Sequence, residues 1–166
     1  RGHAVNLFEM RPVRMTPAHK SGMFAELVCS NSFKSRSKEN AHGLLKSEMA
    51  ILNSMILKTA EKFSVPAGQA LAIDRELFAK SVSEKLKKHP LISFYNEEIT
   101  NIGEIIDSYS YLIIATGPLT SDSLSLSLQD ILGEKYLSFY DAISPVVTEE
   151  SINMNVAFRA SRYDRG

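Results

Sequence analysis

The chain has 166 residues, enough for one domain or for one domain and part of another. Hydrophobic residues make up 44% and charged residues 23%, an ordinary globular composition that argues against disorder. The 19 basic and 19 acidic side chains cancel, so no positive field over the whole protein is available to hold nucleic acid, and any RNA contact falls to a local patch.

Ala4–Met10 alternates imperfectly and predicts a buried strand ending in an acid, Glu9. In a dinucleotide-binding βαβ unit the second strand ends in Asp or Glu, whose carboxylate accepts hydrogen bonds from a ribose hydroxyl. On that reading Arg1-Gly2 closes a preceding helix with glycine at its C-cap, and a first strand with its glycine-rich phosphate turn belongs before residue 1. Residues 12–38 predict a long loop with one helical turn over Phe24–Val28. Glu39–Phe63 is the clearest helix. Its face is Leu44, Leu45, Met49, Leu52, Met55, Ile56, Ala60 and Phe63, and Asn40 or Ser37 is its cap. Val65-Pro66-Ala67-Gly68 breaks it.

Ala70–Ile73 predicts a short strand, and Asp74 caps a second helix over Arg75–Lys88. That helix carries Leu77, Phe78, Val82 and Leu86 on its apolar face and a lysine-rich last turn, which suits the helix dipole. Leu91–Tyr95, Glu98–Ile102 and Ser108–Ala115 predict strands. A capped helix over Ser121–Leu132 ends at Gly133, and Leu137–Tyr140 and Ser144–Val147 are late strand candidates. Strands alternating with helices predict an α/β fold with a parallel sheet.

Three stretches carry chemistry. Glu9, in Phe8-Glu9-Met10-Arg11-Pro12, puts a carboxylate at a strand's C-terminal edge, where open α/β sheets bind ligands. By itself it reads as a surface acid after an edge strand. Tyr111–Pro118 runs an apolar strand into a small-residue turn, Ala115-Thr116-Gly117-Pro118, whose backbone N–H groups can approach a phosphate or flavin closely. Found in this order, the two favour a flavoprotein. The third stretch, Glu26–Ser37, holds Cys29 and Asn31 beside Lys34 and Arg36. Cations favour the nucleophilic thiolate and also meet RNA phosphates, and the stretch reads equally as a solvated basic loop beside a buried cysteine.

Cys29 is the sole cysteine, which rules out an internal disulfide framework and fits a reducing compartment. Without context it reads first as a small buried hydrophobe. His19 and His42 lack metal-ligand spacing, so no metal site is expected. No apolar run is long enough to span a membrane, and Arg1-Gly2-His3 shows neither a signal-peptide pattern nor an initiator Met, so the sequence reads as an interior piece of a longer one.

Glu9-Met10-Arg11-Pro12, Thr16-Pro17-Ala18-His19 and Phe24 to Ser32, with Cys29-Ser30-Asn31-Ser32 at its end, follow one another without gaps. So do Glu39 to Lys46, Val65 to Gly68, Ala70 to Arg75, Ile114 to Asp122, Phe139 to Ala142 and Ser161 to Asp164. This series resembles the methylenetetrahydrofolate–tRNA-(uracil-5-)-methyltransferase family over nearly the whole chain. The resemblance implies a Rossmann-like FAD-binding domain of the two-dinucleotide type with a smaller inserted domain. Residues 1–166 would be a single partial FAD-binding domain, with residues after about 140 leading toward the insertion.

It implies transfer of a methyl group, derived from 5,10-methylenetetrahydrofolate, through FAD to C5 of a uridine in the tRNA T-loop. NADPH or NADH would be the reductant, ribosomal RNA is the alternative target, and the location would be cytoplasmic. Residue by residue, Cys29 matches one of two functional cysteines and Glu9 the ribose-binding acid. Met10, Arg11 and Asn31 fall in the matching segments, Ile99 falls where backbone meets adenine, and Ala115, Thr116, Gly117 and Pro118 form the turn near FAD. Lys34 and Arg36 are expected RNA contacts from their charge alone. The family's glycine-rich turn and second cysteine lie outside the chain. An FAD-dependent oxidoreductase without RNA, and an inactive truncated remnant, therefore stay open as alternatives.

Overall fold

The structure is a computed structural model that describes residues 2–133 and 148–158. The late strand candidates Leu137–Tyr140 and Ser144–Val147 lie outside the described residues, as does Arg1. Two small sheets organise the described residues. Strand β1 (Val5–Phe8) pairs in parallel with β5 (Ile92–Tyr95), with Val5 opposite Ile92 and Phe8 opposite Tyr95. Parallel strands need a long crossover, and here the crossover holds the second sheet. In it β4 (Ala70–Ile73) lies antiparallel between β2 (Ser32–Ser35) and β3 (Ser64–Val65). The α/β class is as expected, but among the described residues the parallel part is a two-stranded pair beside an antiparallel sheet.

The core lies where helices α2 (Met55–Lys62) and α3 (Arg75–Lys87) cover β4. Leu57, Ala60, Leu71, Ile73, Phe78 and Val82 are its buried members. Phe33 of β2 packs edge-on against Phe78 with ring centres 5.5 Å apart. Thr59 is fully buried yet satisfied: its hydroxyl donates to the Met55 carbonyl at 2.8 Å and accepts from Lys85 Nζ at 2.7 Å. Asp74 caps α3 as expected, accepting from the N–H groups of Glu76 and Leu77. Helix α4 (Asp122–Leu132) likewise starts at its Ser121 cap and stops at Gly133, whose φ of +66° suits glycine.

Four expectations are corrected. The single helix over Glu39–Phe63 is two, α1 (Ala41–Ile51) and α2. Asn53 takes a left-handed φ of +58°, and Ser54 caps the new helix by accepting from Leu57 N–H. The turn leaves Leu44, Leu45 and Leu52 exposed instead of on one buried face. Within the expected loop, β2 forms with one extra residue relative to β4, a bulge in which Lys34 has φ +63°. Glu98–Ile102 and Ser108–Ala115 are not strands: among the described residues, no described strand pairs with either. Side chains hold the first stretch, with Ile102 N–H donating to Ser127 Oγ and Asn101 Oδ1 accepting from Gly103 N–H. In the second, Tyr111 and Ile113 stay almost fully exposed.

Gly43 fixes the seat of α1. A Cβ there would lie 1.8 Å from the Ser37 carbonyl oxygen, a backbone atom that cannot swing aside. Alanine gains about 1 kcal/mol of helix propensity over glycine, but the overlap costs more. Gly43→Ala is therefore expected to lower stability by about 2 kcal/mol or more, measured by urea unfolding. An unchanged or raised midpoint would contradict this packing.

Candidate cofactor-binding site

β1 ends at Phe8, so Glu9 stands just past the C-terminal end of the parallel pair, its N–H donating to the Tyr95 carbonyl at 3.0 Å. A cleft of about 430 Å³ opens there. One wall is β1 and the loop after it, and the other comes from residues 97–105 and 112–124. Of the residues singled out from sequence, Glu9, Met10, Arg11, Ile99, Ala115 and Thr116 line it. Gly117 and Pro118 do not line it but form the short turn Gly117–Leu119 directly after Thr116. Gly117 has φ +66°, and a side chain there would meet no atom within 4 Å, so the backbone lies open to a close approach.

Arg11 organises the wall. Its Nε donates to Glu9 Oε1 and its Nη2 to Glu9 Oε2, both at 3.0 Å, a two-pronged pairing suited to the planar guanidinium. Its backbone N–H also donates to Glu9 Oε1 at 3.0 Å. Its Nη1 reaches the Ser21 carbonyl at 3.4 Å and lies 3.8 Å from Glu26 Oε2. The Arg11 side chain is only 7% exposed, so its charge is spent on the protein and its effect is to position Glu9. Glu26 gathers the loop by accepting from Lys20 N–H at 2.8 Å and from Ser21 N–H at 3.0 Å and Oγ at 2.6 Å. Opposite, Arg14 pairs with Glu98, which fastens the loop to the far wall.

These contacts set the charge states. Burial raises the Glu9 carboxyl, but the Arg11 hydrogen bonds outweigh it and hold the group below the usual carboxylate range. Burial likewise raises Glu26, and the bonds from Ser21 and Lys20 bring it below that range. Bonds from Arg14 and Ser121 hold Glu98 down. Burial, then the Arg11 charge, push the His19 imidazole below its usual value against the pull of Glu26 and Glu9.

Sequence reasoning missed Thr16, His19, Glu26 and Glu98 as wall residues. The available signal was Thr16-Pro17-Ala18-His19, where a hydroxyl three residues before a backbone N–H closes a turn.

The remaining candidates stand apart. Cys29 is exposed, which corrects the expectation of a buried thiol, and it does not line the cleft. Asn31 clamps its loop to β4: its Nδ2 donates to the Ile73 carbonyl at 3.2 Å, and its own carbonyl accepts from Ile73 N–H at 2.9 Å. Lys34 is exposed at the β2 bulge. Arg36 lines a separate hollow with residues 64–68. Among the described residues no group of three or more His, Cys, Asp or Glu side chains is placed to hold a metal ion. No described helix is long and apolar enough to cross a membrane.

The carboxylates and His19 give the fold a signed pH dependence. Each has a depressed value in the folded chain, so its stabilising contribution is present above its unfolded pKa and is lost as pH falls through its folded value. Acidification from pH 7 should weaken the protein in two stages. His19 acts first, below its usual 6.5, and Glu9, Glu26 and Glu98 follow below their usual 4.5. The urea midpoint followed against pH checks this, and a midpoint that stays flat into the acid range would contradict it.

Comparison with known proteins reaches the whole chain. It is 54% identical over 166 residues to the methylenetetrahydrofolate–tRNA-(uracil-5-)-methyltransferase TrmFO of Pelotomaculum thermopropionicum and 52% identical over 166 residues to that of Bacillus subtilis. It is 51% identical over 165 residues to that of Desulfitobacterium hafniense. The first two alignments cover 100% of this chain and the third 99%, whereas the chain spans 37% of the length of each of these curated relatives. The profile for glucose inhibited division protein A matches residues 1–166. With every residue inside that match, the chain belongs to the glucose inhibited division protein A family.

Proposed function

We propose that this chain is the part of a folate- and FAD-dependent tRNA (uracil-5-)-methyltransferase that receives the dinucleotide end of FAD. The observation that carries the reading is the convergence of Glu9, Ile99, Ala115 and Thr116, from three distant stretches, on one cleft at the C-terminal end of β1. Ligands of open α/β sheets bind at that end. The fit is chemical as well as positional. Glu9 Oε1 accepts two bonds from Arg11 but Oε2 only one, which leaves a lone pair for a ribose hydroxyl. The cleft volume falls within the ordinary range of ligand pockets.

In this reading Arg11 fixes the Glu9 carboxylate in its ionised form, the backbone around Thr116 and Gly117 lies close to the cofactor, and Ile99 flanks the adenine. Bound FAD would carry the one-carbon unit taken from 5,10-methylenetetrahydrofolate, with NADPH or NADH as reductant. Cys29 offers its exposed thiol to the reaction from the loop whose Phe24, Ala25 and Glu26 line the cleft. Lys34 and Arg36 supply the local basic patch toward tRNA, with ribosomal RNA as the other target. Residues 1–166 form one partial FAD-binding domain of a cytoplasmic enzyme, and the segment after about residue 140 leads toward a smaller inserted domain.

The test uses this segment grafted into a full-length relative in place of its counterpart. The chimaera should methylate tRNA with folate and reductant present, and Cys29→Ser should reduce the rate by about a hundredfold or more, as loss of a nucleophile does. Full activity after Cys29→Ser would remove the cysteine from the reaction. Flavin-dependent oxidation of NADPH without methyl transfer would favour an oxidoreductase instead.

A further inference from the structure

His19 lines the cleft and is absorbed by none of the roles above. Its backbone N–H donates to Thr16 Oγ1 at 3.2 Å, and its ring Nδ1 meets the same oxygen at 2.6 Å. The Thr16 hydroxyl has one proton to give and two lone pairs. One lone pair already takes the backbone N–H. If the hydroxyl also accepted from Nδ1–H, its own proton would have no acceptor among the described residues. Donating that proton to Nδ1 instead leaves only one lone pair unused, which costs less than an unmade donor, and leaves the ring's other proton on Nε2. Arg11, Glu9 and Glu26 are the charged groups around the ring, and partial burial together with Arg11 favours its neutral form.

We infer that Thr16 holds His19 as the neutral Nε2–H tautomer, making it a hydrogen-bond donor in the cleft for an oxygen acceptor of the bound dinucleotide. The assignment rests on the FAD reading for its ligand but not for its tautomer. It complements Glu9: the free lone pair of Glu9 Oε2 is an acceptor on that wall and the His19 ring a donor. Phosphate oxygens and flavin ring carbonyls share the required chemistry. His19 here is a binding residue and Thr16 a positioning residue.

Two measurements on the 166-residue chain test this. Long-range nitrogen–proton NMR of the histidine rings, with the His19 signal assigned by its loss in His19→Gln, should show Nε2 protonated and Nδ1 bare. Thr16→Val should give a tautomer mixture, and Thr16→Ser should restore the single form. A His19 ring protonated on Nδ1 in the wild type overturns the assignment.

The second measurement is binding. His19→Ala should weaken FAD uptake about tenfold, the worth of one hydrogen bond, and His19→Gln, which keeps an N–H, should stay within about threefold of wild type. AMP and riboflavin then separate the sources. A loss confined to AMP identifies a phosphate acceptor, and a loss confined to riboflavin a ring carbonyl. Wild-type affinity of His19→Ala for all three probes overturns the donor role. A wild-type chain that takes up no FAD overturns the ligand assignment and the cofactor reading together, while the NMR result still decides the tautomer.

Discussion

The buried guanidinium of Arg11 is the contact on which the site depends. It bridges Glu9, at the end of β1, to Glu26 and the Ser21 carbonyl in the following loop. It thereby turns a stretch with little regular structure into a wall of the cleft. Burying these charges is costly, and a matched set recovers that cost only while all partners are present. Loss of either side would leave a largely buried charge uncompensated, at about 3–5 kcal/mol. The pairing also places the Glu9 carboxylate, so geometry and charge state come from the same bonds.

The rest of the fold gives this contact its frame. Phe24 packs on Phe94 of β5 with ring centres 5.2 Å apart, and its N–H donates to the buried Ser83 hydroxyl on α3. The loop is thus fastened at one end by charges and at the other by the α3 core. Phe8 stacks on Tyr95 across the parallel pair at 4.9 Å and meets Tyr109 edge-on at 6.3 Å, which brings the segment before Tyr111 toward β1. Leu112, Ile113 and Ile114 then face β1 across the cleft without a ladder between them, and much apolar surface there stays in water.

Local signals in the sequence proved reliable. Ala70–Ile73, the Asp74 cap, α3 and the Ser121-to-Gly133 helix appear as read, because caps, periodicity and a helix-ending glycine act within a few residues. The break at Asn53-Ser54 was equally local but was masked by apolar periodicity running through both helices. The β2 bulge and the unpaired stretches at 98–102 and 108–115 were not legible, since a ladder depends on which strand lies alongside. The site divides in the same way. Glu9, Ile99, Ala115 and Thr116 were found through the strand-end pattern and the family resemblance. Thr16, His19 and Glu26 were not, because their roles arise from side-chain bonds that close a loop.

Titration of FAD into the isotope-labelled chain, followed by amide NMR, tests the central claim most directly. The expected result is shifts concentrated at Glu9, Met10 and Arg11, at Ile99, and at Ala115 through Gly117, together outlining the cleft. Shifts centred instead on Arg36 and the 64–68 hollow, or no shifts at saturating FAD, would contradict it.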